Sequence, residues 1–358
     1  MSNKISIALC AYNGAKYLSP QLESYMTQTR PPDEVIVCDD CSQDETVSML
    51  DEFARRSPFP ARVFINEQNV GYTKNFENAI SRCSGDIIFL SDQDDVWEPN
   101  KIESVVSVFD NDCEVGMVFS DAGLVDETLR PLGSDLSDYY EYPKHLKRGG
   151  VIKCEELLPS LLKRNMVAGN TIAFRAKYNK LILPIPLDLP RRTHDGWIAM
   201  LLLMTAKCVF INEPLVKYRQ HAMQLIGADP RRRAGRRTGA GPNIFNLDRT
   251  TLVKSNRITI MEEQILERES MELIKGYITR RTDLAESVLS AVNAEIGRRR
   301  ERVRHYQLRK SLLSDKQKYM PRLLRVIKEL LSGRYHRYSN GIRSAAGDLM
   351  AFAEFPWK

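Results

Sequence analysis

The chain has 358 residues, 43% of them hydrophobic, and a net charge of +6. That is enough apolar sequence for one large or two ordinary domains. It has no uninterrupted run of the roughly 18 apolar residues that a membrane-spanning helix needs, and its start, "MSNKISIALCAYNG", lacks the regions of a signal peptide. The seven scattered cysteines favour reduced thiols over a disulfide framework. We therefore expect a folded protein that stays in the cytosol.

The net charge hides a difference between two parts of the chain. Residues 1–227 contain 24 basic and 31 acidic side chains, a net charge of −7, whereas residues 228–358 contain 28 and 15, a net charge of +13. Residues 228–243 are rich in Arg and Gly and show no periodicity. The sequence predicts an acidic domain over 1–227, a linker or mobile loop over 228–243, and a basic region over 244–358.

The first hundred residues alternate strand-like runs with helical patterns. Strands are predicted at 4–12, 33–40, 61–67 and 86–92, and helices at 15–28, 44–56 and 72–83. This alternation predicts an α/β fold with a mostly parallel sheet covered on both faces by helices. In such a sheet ligands bind at the carboxyl ends of the strands, so the loops that follow the strands are the first candidates for a site.

The later sequence is less regular and then becomes helical. Strands are predicted at 113–126, 169–175 and 208–212, and a buried helix at 195–204. From residue 246 onward the pattern is helical throughout. Apolar residues recur there at helical spacing in two groups, which are Leu284, Val288, Val292 and Ile296, and Leu323, Ile327, Leu330 and Leu331.

Polar clusters lie at four predicted strand ends or helix starts, at 8–14, 37–46, 90–97 and 193–197. Taken singly, each is typical of side chains that cap a helix or face solvent. Together they are predicted to converge on one edge of the sheet. The densest cluster, "SDQDD" at 91–95, sets three carboxylates within four positions. A divalent cation reverses such repulsion, and Mg²⁺ and Mn²⁺ usually share oxygen ligands with phosphates, so we expect one of them here, facing a diphosphate.

Four segments resemble one protein family: 6–46, 69–103, "HDGW" at 194–197 and "EPLVKYRQH" at 213–221. They closely resemble the inverting family 2 glycosyltransferases with the GT-A fold, in particular the bacterial rhamnosyltransferase-like subgroup. The resemblance covers about residues 4–227, in order and at the expected spacing. It implies a Rossmann-like α/β domain, here followed by a basic helical region.

The resemblance places the nucleotide donor at the ends of the first strands. Cys10 and Tyr12 occupy the position that holds the base, and Asp40 that of a carboxylate that accepts the pyrimidine N3–H, which uracil and thymine both offer. Gly71 and Lys74 belong to the family's segment near the donor, where Gly71 could simply provide a turn and Lys74 could contact a phosphate or be a solvated charge. The remaining residues that the resemblance assigns to the donor site are Asn69, Asn75, Ser91 and Gln93.

In the acidic cluster the resemblance places residues 92–94 at the family's D-x-D motif. Asp92 would hold ribose or sugar hydroxyls, and Asp94 would bind a metal that bridges the two phosphates. Asp95 would cap the helix that begins near Pro99 or orient Asp94. Spacing alone leaves open whether Asp94 or Asp95 faces the cation.

Three further residues complete the implied site. Asp195 would be the base that takes the proton of the acceptor hydroxyl, or merely a helix N-cap. His221 would complete the metal shell, or is an ordinary core or surface histidine. Arg219 would balance the diphosphate charge. An acceptor or donor-sugar pocket would involve Trp97, Gly169, Asn170, Thr171, His194 and Trp197, although a tryptophan is more often simply packed.

The basic carboxyl-terminal region has two interpretations. It is an ordinary helical layer, or it attaches the protein to the cytoplasmic face of the inner membrane, where a lipid-linked acceptor would be found. Its helices could also form a homo-oligomer. No nucleic-acid-binding motif accompanies the positive charge, so we expect no nucleic acid partner.

The leading hypothesis is therefore a metal-dependent inverting glycosyltransferase that uses a dTDP- or UDP-sugar, with dTDP-β-L-rhamnose the preferred donor, to extend a cell-surface glycan. Alternatives are a UDP-hexose or UDP-N-acetylhexosamine transferase of the same fold, and a non-catalytic nucleotide-sugar-binding subunit. A D-x-D phosphatase needs the motif directly after the first strand, whereas here it follows the fourth predicted strand.

Overall fold

The computed structural model describes residues 3–163, 165–187, 193–222, 224, 272, 274–277, 279, 286–314, 319–334 and 336. The chain divides into two compact units, Met1–Ala240 and Gly241–Lys358. The predicted linker at 228–243 lies outside the described residues.

The first unit alternates strands and helices from its first described residues. Its strands are β1 (Ile5–Ala11), β2 (Glu34–Asp39), β3 (Ala61–Ile65), β4 (Ile87–Ser91), β5 (Val96–Trp97), β6 (Val115–Val125), β7 (Pro131–Asp135), β8 (Gly150–Ile152), β9 (Ile172–Arg175) and β10 (Lys207–Arg219). Its helices are α1 (Ala15–Met26), α2 (Thr46–Arg56), α3 (Tyr72–Arg82), α4 (Lys101–Asn111), α5 (Leu136–Tyr139), α6 (Cys154–Lys163), α7 (Asn179–Ile182) and α8 (His194–Thr205).

The ten described strands form one sheet in the order β3-β2-β1-β4-β9-β6-β10-β5, with β7 on β6 and β8 on β10. The pairs among β3, β2, β1 and β4 are parallel, as the strand and helix alternation predicts, and so is β6 with β10. β9 is antiparallel to both β4 and β6, and β5, β7 and β8 also pair antiparallel. The predicted α/β class is thus confirmed, but the parallel pairing is concentrated in the first half.

Helices cover both faces of this parallel half. α1 and α2 pack together, whereas α3 lies over β1 and β2. This follows from right-handed crossovers, because the chain moves outward from β1 to β3 and then reverses to reach β4, which puts α3 on the opposite face. Every residue of β1, β2 and β4 is buried, as expected for strands with both faces covered.

The second half of the sheet contains the elements that the sequence analysis missed. β5 is only two residues long and pairs with β10, so the chain returns to the sheet directly after the acidic cluster. α8 is buried along most of its length and leads into β10, as predicted for residues 195–212. This path brings the start of α8 and the end of β10 to the edge where β1, β2 and β4 end.

The second unit contains two long helices among its described residues, α9 (Glu286–Ser314) and α10 (Tyr319–Leu331). On α10, Val326 and Glu329 are buried, whereas Leu324, Ile327 and Leu331 are exposed. The predicted apolar stripe therefore does not pack as one face. None of the helices in the described part of the chain is long and apolar enough to span a membrane.

Candidate active site

The candidate site lies where β1, β2 and β4 end, and Gln93 links two of these ends. Its amide oxygen accepts the Tyr12 N–H at 2.8 Å, and its Nε2 donates to the Tyr12 carbonyl at 3.0 Å. This amide lies directly over Gly14, where a Cβ would come within 2.1 Å of the Gln93 Oε1. Gln93 therefore fixes the loop after β1, and Gly14 leaves the space for it. Tyr12 is about half exposed, whereas Cys10 is buried, which raises the pKa of its thiol.

Asp40, at the end of β2, fixes the segment that precedes α3. Its Oδ1 accepts the Val70 N–H at 2.8 Å and the Asn66 Nδ2 at 2.9 Å, and its Oδ2 accepts the Gly71 N–H at 2.9 Å. Gly71 has a φ of +82°, a backbone conformation that favours glycine, which agrees with the interpretation that it provides a turn. A carboxylate oxygen can accept two hydrogen bonds, so the Asp40 Oδ2 keeps one acceptor position for a ligand. Asn69 adds a bond from its Nδ2 to the Asp40 carbonyl.

Two further predicted donor residues lie on α3. Asn75 is buried, donates to the Cys38 carbonyl at 2.8 Å and accepts from Asn66 at 2.9 Å. Any contribution of Asn75 to donor binding, which stays a prediction, would therefore be indirect. Lys74 is partly exposed and forms an ion pair with Glu77, so it is a charged residue at the surface that already has a partner.

Asp94 and His221 come together from distant parts of the chain. The His221 Nε2 lies 2.8 Å from the Asp94 Oδ2, and the imidazole packs on the Tyr17 ring with centroids 4.3 Å apart. His221 is almost fully buried, whereas Asp94 remains partly open. The structure therefore makes Asp94, rather than Asp95, the acid that shares a site with the histidine.

Of the two roles that the sequence suggested for Asp95, the structure contradicts the helix cap, whereas the orientation of Asp94 stays a prediction. Asp95 is fully buried, its Oδ1 accepts the Arg219 N–H at 2.9 Å, and its Oδ2 accepts the Asn170 side-chain amide. The helix-cap prediction for Asp95 is wrong, because α4 begins at Lys101 with Asn100 at its N-cap. Asp95 instead ties the acidic cluster to β10 and to the turn before β9.

Arg219 is bonded mainly to backbone groups. Its Nε donates to the Asp94 carbonyl at 2.5 Å and its Nη1 to the Glu127 carbonyl at 2.7 Å. Its Nη2 is buried and makes no hydrogen bond with the described residues. That nitrogen is the part of Arg219 left for an anionic ligand.

Asp92 and Lys101 carry the remaining charge of the cluster. Burial raises the pKa of Asp92, and the nearby carboxylates of Asp94 and Asp195 raise it further. Lys101 is fully buried, and burial lowers its pKa, whereas the negative charges of Asp95 and Asp92 act to raise it. Its ammonium lies 3.7 Å from the centroid of the Trp97 ring. Lys101 is thus a buried amine close to the acids, which the sequence analysis did not identify.

The Asp94 and His221 donors fit a divalent cation. Ligands at adjacent corners of an octahedron with bonds of about 2.1 Å lie about 3 Å apart, close to the observed 2.8 Å. Among the described residues, no group of three or more His, Cys, Asp or Glu is arranged to hold a metal. The donor set therefore suits Mg²⁺ or Mn²⁺ that takes its other ligands from phosphates and water.

Asp195 lies at the second position of α8 and is buried. Its Oδ2 accepts the Gly169 N–H at 3.0 Å, and its Oδ1 accepts the Gly196 N–H at 2.8 Å and the Thr193 hydroxyl. The N-cap alternative is wrong, because Thr193 occupies that position. Each carboxylate oxygen accepts at least one hydrogen bond from the protein, so the orientation of Asp195 is fixed.

His194 lies beside this carboxylate in an apolar setting. Its ring stacks on Phe76 with centroids 3.7 Å apart, and burial lowers its pKa while Asp195 opposes the change. Neither ring nitrogen bonds to any described residue. A neutral imidazole next to the candidate base, with neither nitrogen bonded to a described residue, is suited to form a hydrogen bond with a hydroxyl of a ligand.

Three predicted site residues do not face the cleft. Ser91 is fully buried and its hydroxyl bonds with Gln21 and Tyr25 at 2.5 and 2.6 Å, beneath the sheet end. Trp97 packs edge-on against Tyr25, and Trp197 donates its indole N–H to a backbone carbonyl at 2.9 Å. Both tryptophans are almost fully buried. Donor contact by Ser91 and sugar stacking by the tryptophans were therefore wrong predictions.

Gly169, Asn170 and Thr171 form one buried turn before β9. Thr171 closes it, since its N–H and hydroxyl both donate to the Ala168 carbonyl, at 3.0 and 2.7 Å. A pocket wall at Gly169 is consistent with the structure, because a Cβ there would come within 2.9 Å of the His194 Nε2. Asn170 and Thr171 are otherwise engaged with protein groups.

The sequence of the first unit matches a known family. Residues 6–167 match the family model "Glycosyl transferase family 2". An uncharacterized protein of Mycobacterium tuberculosis is 28% identical over 226 residues, which are 61% of this chain and 59% of that protein. Chondroitin synthase of Escherichia coli is 33% identical over 140 residues, which are 39% of this chain and 19% of the synthase. The chain thus spans less than two thirds of these curated relatives.

Solved structures resemble the fold. S. aureus TarS in complex with UDP superposes with a TM-score of 0.51 at 17% identity, covering 90% of this chain and 78% of TarS. TarS in complex with UDP-GlcNAc gives the same TM-score at 15% identity, covering 97% of this chain and 88% of TarS. At such identities the likeness concerns the fold alone, which is the GT-A fold. Residues 6–167 of the amino-terminal unit thus match a glycosyltransferase family 2 domain, and the fold of this unit is GT-A-like.

Proposed function

We propose that the protein is an inverting glycosyltransferase that moves a sugar from a pyrimidine nucleotide-diphosphate donor to a hydroxyl of a glycan. One observation carries the proposal: a single sheet edge brings together Asp94 with His221, the half-buried Asp92, and the rigidly held Asp195. These groups can bind a diphosphate through a cation and remove a proton in front of it.

Each residue has a defined part in this reaction. Asp195 takes the proton of the acceptor hydroxyl as that oxygen attacks the anomeric carbon, and the bond to the diphosphate breaks on the opposite face. Asp92 would hold donor hydroxyls. Asp94 and His221 would hold Mg²⁺ or Mn²⁺, which neutralises the leaving diphosphate when bound. The free Nη2 of Arg219 would add positive charge there.

The donor is proposed to be a UDP- or dTDP-sugar. Asp40 retains one acceptor position for a pyrimidine N3–H, and S. aureus TarS binds UDP and UDP-GlcNAc in its solved structures. The bacterial rhamnosyltransferase-like motifs favour dTDP-β-L-rhamnose, whose inversion gives an α-rhamnoside. The TarS complexes favour a UDP-N-acetylhexosamine as the second candidate donor.

The acceptor is proposed to be a lipid-linked cell-surface glycan at the cytoplasmic face of the membrane. Exposed Leu324, Ile327 and Leu331 lie on one face of α10, in a region with a net charge of +13, which suits an anionic membrane surface. Wild-type protein should bind vesicles containing phosphatidylglycerol, and the Ile327→Asp, Leu331→Asp variant should not. Equal binding would reject membrane attachment. If the molecular mass of the wild-type protein in solution rises with concentration and that of the variant does not, these residues instead form a homo-oligomer.

A panel of nucleotides tests the donor proposal. The melting temperature of the full chain is measured with UDP, dTDP, ADP and GDP, each with Mn²⁺ and with EDTA. We expect stabilisation by UDP or dTDP that requires Mn²⁺. Stabilisation by purine nucleotides alone would contradict the pyrimidine assignment, and metal-independent stabilisation would contradict the role of Asp94. Binding without any hydrolysis of the matching nucleotide sugars would favour the non-catalytic alternative.

A further inference from the structure

The turn before β9 lies between the acidic cluster and the candidate base, and Asn170 is its central residue. Asn170 is fully buried. Its side-chain amide donates to the Asp95 Oδ2, and its carbonyl accepts the Lys101 ammonium at 2.5 Å. One residue thus contacts both a buried acid and the buried cation that lies beneath it.

On one side, the hydrogen bond between Asn170 and Asp95 is connected through Arg219 to the proposed metal-binding pair. Asp95 also accepts the Arg219 N–H at 2.9 Å, and the Arg219 Nε donates to the Asp94 carbonyl at 2.5 Å. His221, two residues after Arg219, lies 2.8 Å from the Asp94 carboxylate. The bond between Asn170 and Asp95 therefore holds the backbone from which both Asp94 and His221 project.

On the other side, the turn holds the base. The Gly169 N–H donates to the Asp195 Oδ2 at 3.0 Å, and Gly169 leaves no room for a side chain against His194 and Asp195. Because Gly169 and Asn170 are consecutive, the Asp195 carboxylate and the Asp95 carboxylate are bonded to adjacent residues of one rigid turn.

Lys101 makes the arrangement electrostatically possible. A carboxylate as deeply buried as Asp95 is costly unless it is bonded and compensated. Lys101 interacts electrostatically with Asp92 and Asp95, which favour its charged form against the effect of burial, and its Nζ donates to the Asn170 carbonyl. The turn, the acid and the cation therefore form one buried unit rather than three independent contacts.

We propose that Asn170 is a positioning residue that sets the separation between the base Asp195 and the metal-binding pair Asp94 and His221. This inference rests on the proposed function. It assigns to Asn170 no contact with donor or acceptor. Loss of its bond to Asp95 should misplace the base relative to the diphosphate, which lowers the rate of the chemical step more than the affinity for the nucleotide.

An exchange of the two bonded residues tests this proposal. Asn170→Asp alone sets two carboxylates against each other, and Asp95→Asn alone removes the charge that faces Lys101. In the double variant the new amide at position 95 donates to the new carboxylate at position 170, and its oxygen still accepts the Arg219 N–H. The exchange thus restores every bond and the net charge.

The assay is hydrolysis of the active nucleotide sugar with Mn²⁺, with kcat and KM measured separately and UDP or dTDP affinity measured by calorimetry. Each single variant should lower kcat by about 10- to 100-fold, with nucleotide affinity within about threefold of wild type. The double variant should recover kcat to within about fivefold. Arg175→Leu is the matched control, because Arg175 bonds the Phe109 and Val115 carbonyls at the other end of β9. It should lower the melting temperature and leave kcat unchanged.

Unchanged kcat in both single variants would overturn the inference. A double variant that regains the melting temperature but not kcat would also overturn it. In that case kcat would depend on which side chains stand at positions 95 and 170 and not on the hydrogen bond between them. If wild-type protein neither binds nor hydrolyses any nucleotide sugar, the proposed function itself fails, and that outcome is visible before any variant is compared.

Discussion

The proposed donor and base sides of the site differ in the exposure of several of their side chains. On the donor side, Tyr12, Asp92 and Asp94 are partly exposed at strand ends. On the base side, Asp195 and Asn170 are buried and bonded to fixed protein groups. Under the proposed function, the exposed side would accept a charged ligand and the buried side would be preorganised for proton removal.

Two physical arguments explain why one side would be exposed and the other buried. A diphosphate and its cation bring their own charge, so the donor side needs acids that stay accessible until the ligand arrives. A base that must act at a defined distance gains from bonds that exist before substrate binds.

Replacing the base should have the largest effect. Asp195→Asn keeps an oxygen for the Gly169 N–H but cannot take a proton, so donor hydrolysis should fall about 100- to 10,000-fold. Nucleotide affinity should stay near the wild-type value, because Asp195 lies on the base side. The measurement is nucleoside diphosphate release alongside calorimetry. Full turnover in the variant would remove Asp195 from this role.

Removing the cation should affect the donor side selectively. EDTA should abolish nucleotide-dependent stabilisation, and Asp94→Asn should weaken Mn²⁺ affinity by at least the 10- to 100-fold that even outer-shell substitutions cause. Titration of Mn²⁺ in the presence of UDP or dTDP measures this. The matched control is Asp44→Asn, whose carboxylate caps α2 through Thr46. If both variants bind Mn²⁺ equally well, the metal lies elsewhere.

The loop after β1 offers a test of intermediate size. A Cβ at Gly14 would come within 2.1 Å of the Gln93 Oε1 and displace this amide from Tyr12. Because two hydrogen bonds are lost, Gly14→Ala should weaken nucleotide binding about tenfold, and Gln93→Ala should do the same. The two changes together should be no worse than either alone. Additive losses would show that Gly14 does not act through Gln93.

The smallest effect concerns His194 and pH. Its pKa is lowered in the folded protein because the ring is buried. The unfolded chain therefore binds a proton more readily, and His194 should destabilise the fold as the pH drops below about 6.5. Denaturant unfolding of wild type and His194→Gln between pH 7.5 and 5 measures this. The variant should lose less stability on acidification, and parallel curves would show that His194 does not titrate in this way.

Local sequence pattern was enough to predict the strand ends at which the proposed donor site lies. Strands β1, β2 and β4 are short apolar runs separated by helical patterns, so their ends, and hence Asp40 and Asp92, could be placed on one edge. The pairing of Asp94 with His221 came from the family resemblance, and the structure brings them together across 127 positions.

The roles of neighbouring residues could not be predicted in this way. Asp94 and Asp95 are adjacent, yet one is partly open and the other fully buried, because Arg219 reaches Asp95 from β10 and Asn170 from the turn before β9. Ser91 and Trp97 were misassigned because β4 is covered on both faces and β5, only two residues long, shows no readable period. Lys101 was missed because a lysine at a helix start is usually solvated.

The stereochemistry of donor hydrolysis tests whether Asp195 is the base of an inverting transfer. Proton NMR of the reaction with the active donor and Mn²⁺ identifies the sugar anomer that forms before mutarotation. If Asp195 activates the attacking oxygen on the face opposite the diphosphate, the first product has the inverted configuration, and Asp195→Asn forms almost none. A first product that retains the donor configuration would contradict the account.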